Sequence, residues 1–268
     1  MSHSRGLCRP EGMRIAIAGG TGMLGRQTAE ELRGRGHDVR VLSRHAPEYR
    51  VDLTTGDGLA EALEGCDAVV DASNSRSPKQ AEQILVEGSR RLLAAEESAG
   101  VGHHVCVSIV GCDQLPFGYY RSKAEQERVV ESARVPWTVV RATQFHELLA
   151  MGFAAVGRTR VLPVPRARLQ TVACAEVARV VADVVEGGPR RGRVEVTGPE
   201  TADLRVLARR WRAITGRKAL VVPLALPGAL GRALRSGVAT SDRADVRGTV
   251  RFDDWLRAQT TTGKGNGR

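Results

Sequence analysis

The sequence predicts an α/β fold: a doubly wound parallel sheet with helices on both faces, followed by a small C-terminal α/β lobe. Three observations predict it. Short runs rich in Val, Ile and Ala recur with amphipathic stretches between them; the first run leads straight into a knot of glycines and a helix; and the alternation loosens after residue 156. Near-continuous apolar strands separated by helical segments are the mark of a parallel sheet buried on both faces.

Taken in order, MRIAIA (13–18) is a strand and 22–35 a helix that stops in the region of Gly34 and Gly36. DVRVLS (38–43) is the second strand, LAEALEG (59–65) a short helix and DAVVDAS (67–73) the next strand. A long helix over 79–100 precedes the strand HHVCVSIVG (103–111), then a helix over 119–134, the strand WTVVRA (137–142) and a helix over 147–156. Beyond it, VLPVPRA (161–167) is broken by prolines. A helix (175–187), a strand (193–197), a helix (203–215), a mixed apolar segment (219–236) and RFDDWL (251–256) complete the fold. The organisation is a disordered leader over 1–12, a core over 13–156, a lobe covering the substrate over 157–258 and a disordered tail over 259–268.

Composition excludes several classes of function. The net charge is +10, with 40 basic residues, yet almost all are Arg, with Lys only at Lys79, Lys123, Lys218 and Lys264. They are scattered singly or in pairs, and aromatics are only 4%, so stacking platforms for bases are scarce and nucleic acid is not the expected partner. The five cysteines (Cys8, Cys66, Cys106, Cys112, Cys174) have irregular spacing and no C-x-x-C pair, against disulfides and structural zinc and in favour of a cytoplasmic location. His103 and His104 are neighbours on a strand and point to opposite faces, so no metal site is expected. The longest apolar run contains Pro223 and Pro227 and is too short to span a membrane.

The chemistry starts at GGTGMLG. Gly19, Gly22 and Gly25 follow the first strand and run into the first helix. The first glycine permits a tight turn, the second lets backbone N–H groups approach a diphosphate, and the third lets helix and strand pack closely. Such a triplet arises easily in a chain with 30 glycines, so its position carries the weight. Gly19, Thr21, Gly22, Met23, Leu24 and Gly25 are therefore expected to hold a dinucleotide diphosphate at the helix N-terminus. An acidic residue ending the second strand would favour NAD, but Ser43 and Arg44 stand there. Arg44, assisted by Arg26 in the first helical turn, suits the 2′-phosphate of NADP. Asp52, Leu53, Ala72 and Ser73 border the adenosine.

GGTGMLGR, VDL, LAEALEGCDAVVDAS, FGYYRSKAEQE and VPWTVVRATQFHE together resemble the NmrA-like, atypical branch of the short-chain dehydrogenase/reductase superfamily, from about Met13 to Leu256. The resemblance implies a Rossmann fold, NAD(P) binding and a C-terminal lobe shaping the substrate pocket. It does not fix a reaction, since the branch is similar both to reductases and to NADP-sensing regulators.

FGYYRSK holds the discriminating pair. Tyr119 and Lys123, four apart, share one helix face, and a nearby ammonium favours the phenolate form, so that Tyr119 can give a proton to a carbonyl oxygen as hydride arrives. The superfamily resemblance gives such a Tyr that role and lets Lys123 also hold the nicotinamide ribose. Tyr120, at a spacing of three from Lys123, is a substrate-side candidate instead. The superfamily's serine corresponds to Ser108, although Ile109 follows where a second Ser is usual, and a buried strand serine bonded to backbone is the alternative. After the strand ending at 142, Thr143 and Phe145 are expected at the cofactor edge, with Gln144 and His146 towards the substrate, the alternative for His146 being a histidine hydrogen-bonded at the helix N-terminus. Arg158, Arg160, Arg166 and Arg168 surround the pocket mouth, either solvated or drawing in an acidic substrate. The expected function is an NADPH-dependent reductase, acting as monomer or homodimer on a carbonyl or conjugated C=C of a small molecule. The alternative is a non-catalytic NADP(H) sensor.

Overall fold

The structure is a computed structural model that describes residues 12–75, 77–115, 118–156 and 160–265. The expected leader, apart from Gly12, lies outside the described residues, as do Arg158 and the last three positions of the expected tail.

The first half alternates strand and helix. β1 (Arg14–Ala18) passes through the glycine turn into α1 (Met23–Gly34), then β2 (Asp38–Ser43) and the two-residue β3 (Tyr49–Arg50). α2 (Leu59–Leu63) and β4 (Ala68–Asp71) follow, then α3 (Pro78–Ala81), a π-helical turn over Glu82–Glu87 and α4 (Gly88–Ala99). Sequence periodicity reads this last stretch as one α-helix. The π turn re-aims it so that Gly88 lies against Leu53, where a Cβ would stand 3.1 Å from the leucine Cβ. β5 (His103–Ile109), α5 (Gly118–Glu131), β6 (Trp137–Ala142) and α6 (His146–Val156) complete this half.

The second half contains β7 (Val161–Pro165), β8 (Arg168–Leu169), α7 (Cys174–Glu186), β9 (Gly192–Thr197), β10 (Ala202–Asp203) and α8 (Leu204–Thr215). It ends with β11 (Leu220–Leu224), α9 (Gly228–Ser236), β12 (Val246–Arg247) and α10 (Phe252–Gly265). β7 occupies the stretch read as proline-broken. It pairs in parallel with β11, and because Pro163 and Pro165 stand two apart, their missing N–H groups fall on the same side of the strand. α10 runs on to Gly265, past position 258 where composition places the end of the fold.

Eight strands form the main sheet, in the order β12-β9-β6-β5-β4-β1-β2-β3, with every pairing parallel. The chain runs outward from β1 through β2 and β3, then returns to β4 and runs outward the other way. That reversal opens a crevice at the carboxyl ends of β1 and β4, the place where ligands enter such sheets. One face is filled by Ile15, Ile17 and Leu32 together with Val177, Val181 and Val196, so α7 and β9 belong to the sheet layer although the sequence reading assigns them to the lobe. α7 carries buried valines along one face and needs a sheet to cover them. Across the top of this layer Arg35, just after α1, donates to Asp183 and Glu186 of α7, each at 2.7 Å. A second hydrophobic cluster, separate from the sheet layer, gathers Phe153, Leu162, Leu207, Trp211 and Phe252. No helix among the described residues is long and apolar enough to cross a membrane.

Candidate active site

Gly19 leaves β1 with φ +71°, a left-handed conformation in which a Cβ would also stand 2.7 Å from the Ala72 carbonyl oxygen. At Gly25 a Cβ would meet the Gly19 carbonyl oxygen at 2.4 Å, so only glycine lets α1 sit this close to the turn. Gly22 precedes the first residue of α1, with no side-chain cap and no acidic residue in the first turn. The positive end of the helix therefore faces the crevice with its donors free for an anion.

Beside this turn lies a cavity of about 460 Å³. Gly22, Met23 and Leu24 line it from α1, Ala72 and Ser73 from the end of β4, and Ser108 from β5. Tyr119, Tyr120 and Lys123 enter from α5, and Thr143, Gln144 and Phe145 from the segment after β6. Ile109 also lines it, as do Asn74, Ser75 and Leu148, which sequence reasoning passed over. Four buried polar atoms of the lining have no protein partner: Ser73 Oγ, Thr143 Oγ1, and both Nε2 and Oε1 of Gln144. Buried polar atoms in native proteins are almost always bonded, so this wall fits a polar ligand, and with the glycine cradle it fits a dinucleotide.

The remaining candidates lie elsewhere. Gly19, Thr21 and Gly25 shape the turn without lining the cavity. Ser43 closes β2, where its Oγ accepts from the His45 N–H at 3.2 Å, and Arg44 stands exposed beside it. Asp52 turns its Oδ1 into its own loop, accepting from the Thr54 N–H at 2.9 Å and hydroxyl at 2.7 Å. Those bonds, with a smaller contribution from the Arg44 charge, hold the Asp52 carboxyl below its ordinary range. Leu53 packs under Gly88. Arg160, Arg166 and Arg168 are exposed.

His146 does not line the cavity. It is fully buried; Nδ1 lies 2.9 Å from Thr171 Oγ1 and Nε2 3.0 Å from the Val250 carbonyl. A carbonyl only accepts, so Nε2 carries the proton and Nδ1 accepts from the threonine. Both nitrogens are committed, burial depresses its basicity, and the ring packs on Phe252 and Trp255. His146 pins the start of α6 to the start of α10, which is the hydrogen-bonded alternative for this residue and not the substrate-side one.

Tyr119 and Tyr120 meet edge to face, with ring centroids 6.2 Å apart. Burial, followed by the neighbouring Tyr119 and Cys112, pushes the Tyr120 phenol up. Ser108 is buried, with Oγ 3.7 Å from Cys112 Sγ, and Cys112 donates to Glu127 Oε1 at 3.3 Å. Lys123 is only 3% exposed, and its Nζ donates to the Val107 carbonyl and to Gln126 Oε1, each at 2.9 Å. Glu127 in turn holds Arg141 of β6 with contacts of 2.6 to 3.2 Å. Neither Gln126 nor the Glu127–Arg141 pair was expected from sequence.

A family model described as NAD(P)H-binding matches residues 19–187. A (4-alkanoyl-5-oxo-2,5-dihydrofuran-3-yl)methyl phosphate reductase of Streptomyces griseus subsp. griseus is 30% identical over 219 residues, covering 76% of this chain and 74% of that protein. The photosystem II assembly factor Ycf39 of Trieres chinensis is 30% identical over 156 residues, covering 53% of this chain and 49% of that protein. The chain thus spans about half the length of that relative. Among solved structures, the Escherichia coli NADPH-dependent quinone oxidoreductase QOR2 with NADPH superposes at TM-score 0.73 and 18% identity, covering 92% of this chain and 99% of that one. A Staphylococcus aureus nucleoside-diphosphate-sugar epimerase gives 0.74 at 16% identity, covering 91% and 100%. At those identities the shared feature is the fold.

Proposed function

The chain belongs to the NAD(P)H-binding family, and on that premise we propose that it is an NADPH-dependent oxidoreductase. It reduces a carbonyl or a conjugated C=C of a small, largely apolar molecule. One observation carries the reading: Tyr119, Lys123 and Ser108 line the same cavity as Gly22, Met23 and Leu24 of the nucleotide turn. When bound, the reduced nicotinamide supplies the hydride. The chain's own residues do the rest. The N-terminus of α1 holds the diphosphate, and Ser73, Thr143 and Gln144 have the unpartnered polar atoms to fix the nucleoside and the nicotinamide end. The Tyr119 hydroxyl gives its proton to the substrate oxygen, and the Lys123 ammonium offsets the charge left on the phenol oxygen. Ser108 orients the substrate oxygen. Val107, Ile109, Phe145 and Leu148 supply an apolar wall for the rest of the substrate. Four buried free thiols, Cys66, Cys106, Cys112 and Cys174, support a reducing cytoplasmic setting.

The test is NADPH oxidation against a panel of quinones, enones and ketones, followed by the loss of reduced-nicotinamide absorbance. Turnover on at least one member is expected. Tight NADPH binding with no turnover on any member would instead favour a cofactor sensor. The observation on that side is that Lys123 Nζ already spends two donors on protein acceptors.

Cofactor choice is tested separately. Arg44→Ala is expected to weaken NADPH binding by roughly 10- to 100-fold, the range of a hydrogen bond to a charged group, and to leave NADH nearly unchanged. Calorimetric titration of both nucleotides checks it, and an equal loss for both would sink the assignment of the 2′-phosphate to Arg44.

A further inference from the structure

Lys123 is held from behind by a buried chain of polar groups that ends on the Asp71 carboxylate. Gln126 accepts from the ammonium through Oε1, so its Nε2 must point the other way, where it donates to Asp71 Oδ2 and Ser89 Oγ, each at 2.9 Å. The Ser89 hydroxyl donates to the same Asp71 oxygen at 2.8 Å, and the Ser73 N–H donates to Oδ1 at 2.9 Å. Asp71, Ser89 and Gln126 are fully buried. The sheet register sets Asp71 of β4 beside Cys106 of β5, with His104 two residues earlier on the same face. Ligand-type atoms of Asp71, His104 and Cys106 lie within 4.8 Å of one another. Behind them Glu96 bonds His104 Nδ1 at 2.8 Å, and neither residue is exposed at all. The sealed layer thus brings the carboxyl groups of Asp71 and Glu96 together with the Lys123 ammonium and the His104 ring.

We propose that Asp71, acting through Gln126, is the positioning residue that keeps Lys123 charged and fixes the direction of its ammonium at the cavity that Tyr119 also lines. The carboxylate never reaches the cavity floor. It acts by the orientation it imposes on one amide. Because Gln126 Nε2 is committed to Asp71 and Ser89, only Oε1 is left for Lys123, and the lysine is tied to a single geometry.

The electrostatics run the same way. Lys123 faces Tyr119 along its own helix, Cys106 from β5, Asp71 from β4 and Cys112 from the turn over Cys112–Gln114. Burial works against its charge, but those neighbours outweigh it and hold its pKa above the ordinary lysine value. Burial likewise disfavours the Asp71 carboxylate, yet His104, Lys123 and the bonds from Ser73 hold it below the ordinary range. Burial works against a charged His104 too, and Glu96 overcomes it, raising that pKa well above the usual value. Glu96 runs the other way: burial, with the Asp71 charge adding to it, pushes its carboxyl up against the pull of His104.

The catalytic consequence rests on the reductase reading, but the charge on Lys123 can be read without turnover. The chain has only four lysines, so ¹³Cε-lysine spectra contain four side-chain signals, and Lys123→Arg identifies the one that matters. Asp71→Asn is expected to lower the titration midpoint of the Lys123 signal by about one pH unit or more, the scale of losing a nearby opposite charge. Asp71→Asn with Gln126→Glu puts a carboxylate directly on the ammonium and is expected to restore the midpoint. A midpoint unmoved in Asp71→Asn, or lower still in the double variant, overturns the proposal. If Asp71→Asn does not fold, Gln126→Glu alone is expected to raise the midpoint, and an unchanged or lowered value overturns the proposal equally. In an active enzyme the alkaline limb of kcat/KM moves with the Lys123 midpoint. A wild-type chain with no turnover counts against the reductase reading only, and the spectra still decide the role of Asp71.

Discussion

Replacing Tyr119 by phenylalanine is expected to lower turnover by roughly 10²- to 10⁴-fold, the usual contribution of a positioned general acid. The change removes one hydroxyl and leaves the ring, so the edge-to-face contact with Tyr120 survives. NADPH affinity should therefore stay within about twofold, because nothing that holds the diphosphate lies on α5. Tyr120→Phe is the matched control. That ring lines the same cavity but stands three residues from Lys123 rather than four, so its loss should cost only a few-fold. Steady-state kinetics with a member of the quinone and enone panel, beside cofactor titration, checks the pair. Equal losses in the two variants would mean that the helix-face argument picked the wrong phenol, or that neither is the acid.

The second large effect concerns stability. Glu127→Gln is expected to destabilise the fold by about 3–5 kcal/mol, the range for removing one partner of a buried ion pair. The Glu127 and Arg141 side chains are 2% and 7% exposed, and Arg193 adds a contact of 3.3 Å. Glutamine keeps the shape and loses the charge. That leaves the Arg141 guanidinium buried against only Asp113, itself half exposed at 3.2 Å. The sign with pH follows. Burial pushes the Glu127 carboxyl up, but the bonds from Arg141 and the contact from Ser108 outweigh it, and the folded pKa ends below the ordinary value. Its contribution is therefore complete above the unfolded carboxyl value of about 4.3 and is lost as pH falls through the lower folded value. Urea melts near neutrality should separate variant from wild type, and melts in acid should bring them together. A loss under about 1 kcal/mol at neutral pH would place the pair with ordinary surface bridges.

What the sequence made legible was local. The glycine cradle needs residues only a few positions apart, and the junction of β1 and α1 identifies it. Tyr119 and Lys123 are visible because a helix puts residues four apart on one face. The groups that hold those residues were not visible. Gln126 meets Asp71 across 55 positions, and nothing near DAVVDAS marks its aspartate as a lysine's counter-charge. Arg141 read as one more strand residue, because its partner sits on a helix that only the folded sheet brings alongside. For His146 the sequence left two readings open, substrate side or hydrogen-bonded helix start, and the partners that decide between them lie 25 and 104 positions away. β7 escaped because prolines break a strand in isolation but not at the edge of a pair, and its partner β11 is remote in the chain.

The salt link from Arg35 to Asp183 and Glu186 joins positions 148 and 151 residues apart. On a ribosome, where the chain emerges from its N-terminus, this sets a timetable. α1 and its glycine turn leave the tunnel before the valine face of α7 that covers their sheet, which follows about 150 residues later. Until then, the apolar surface over Ile15, Ile17 and Leu32 has no permanent cover. Completion of the sheet layer around the glycine turn therefore waits on a helix translated long after it.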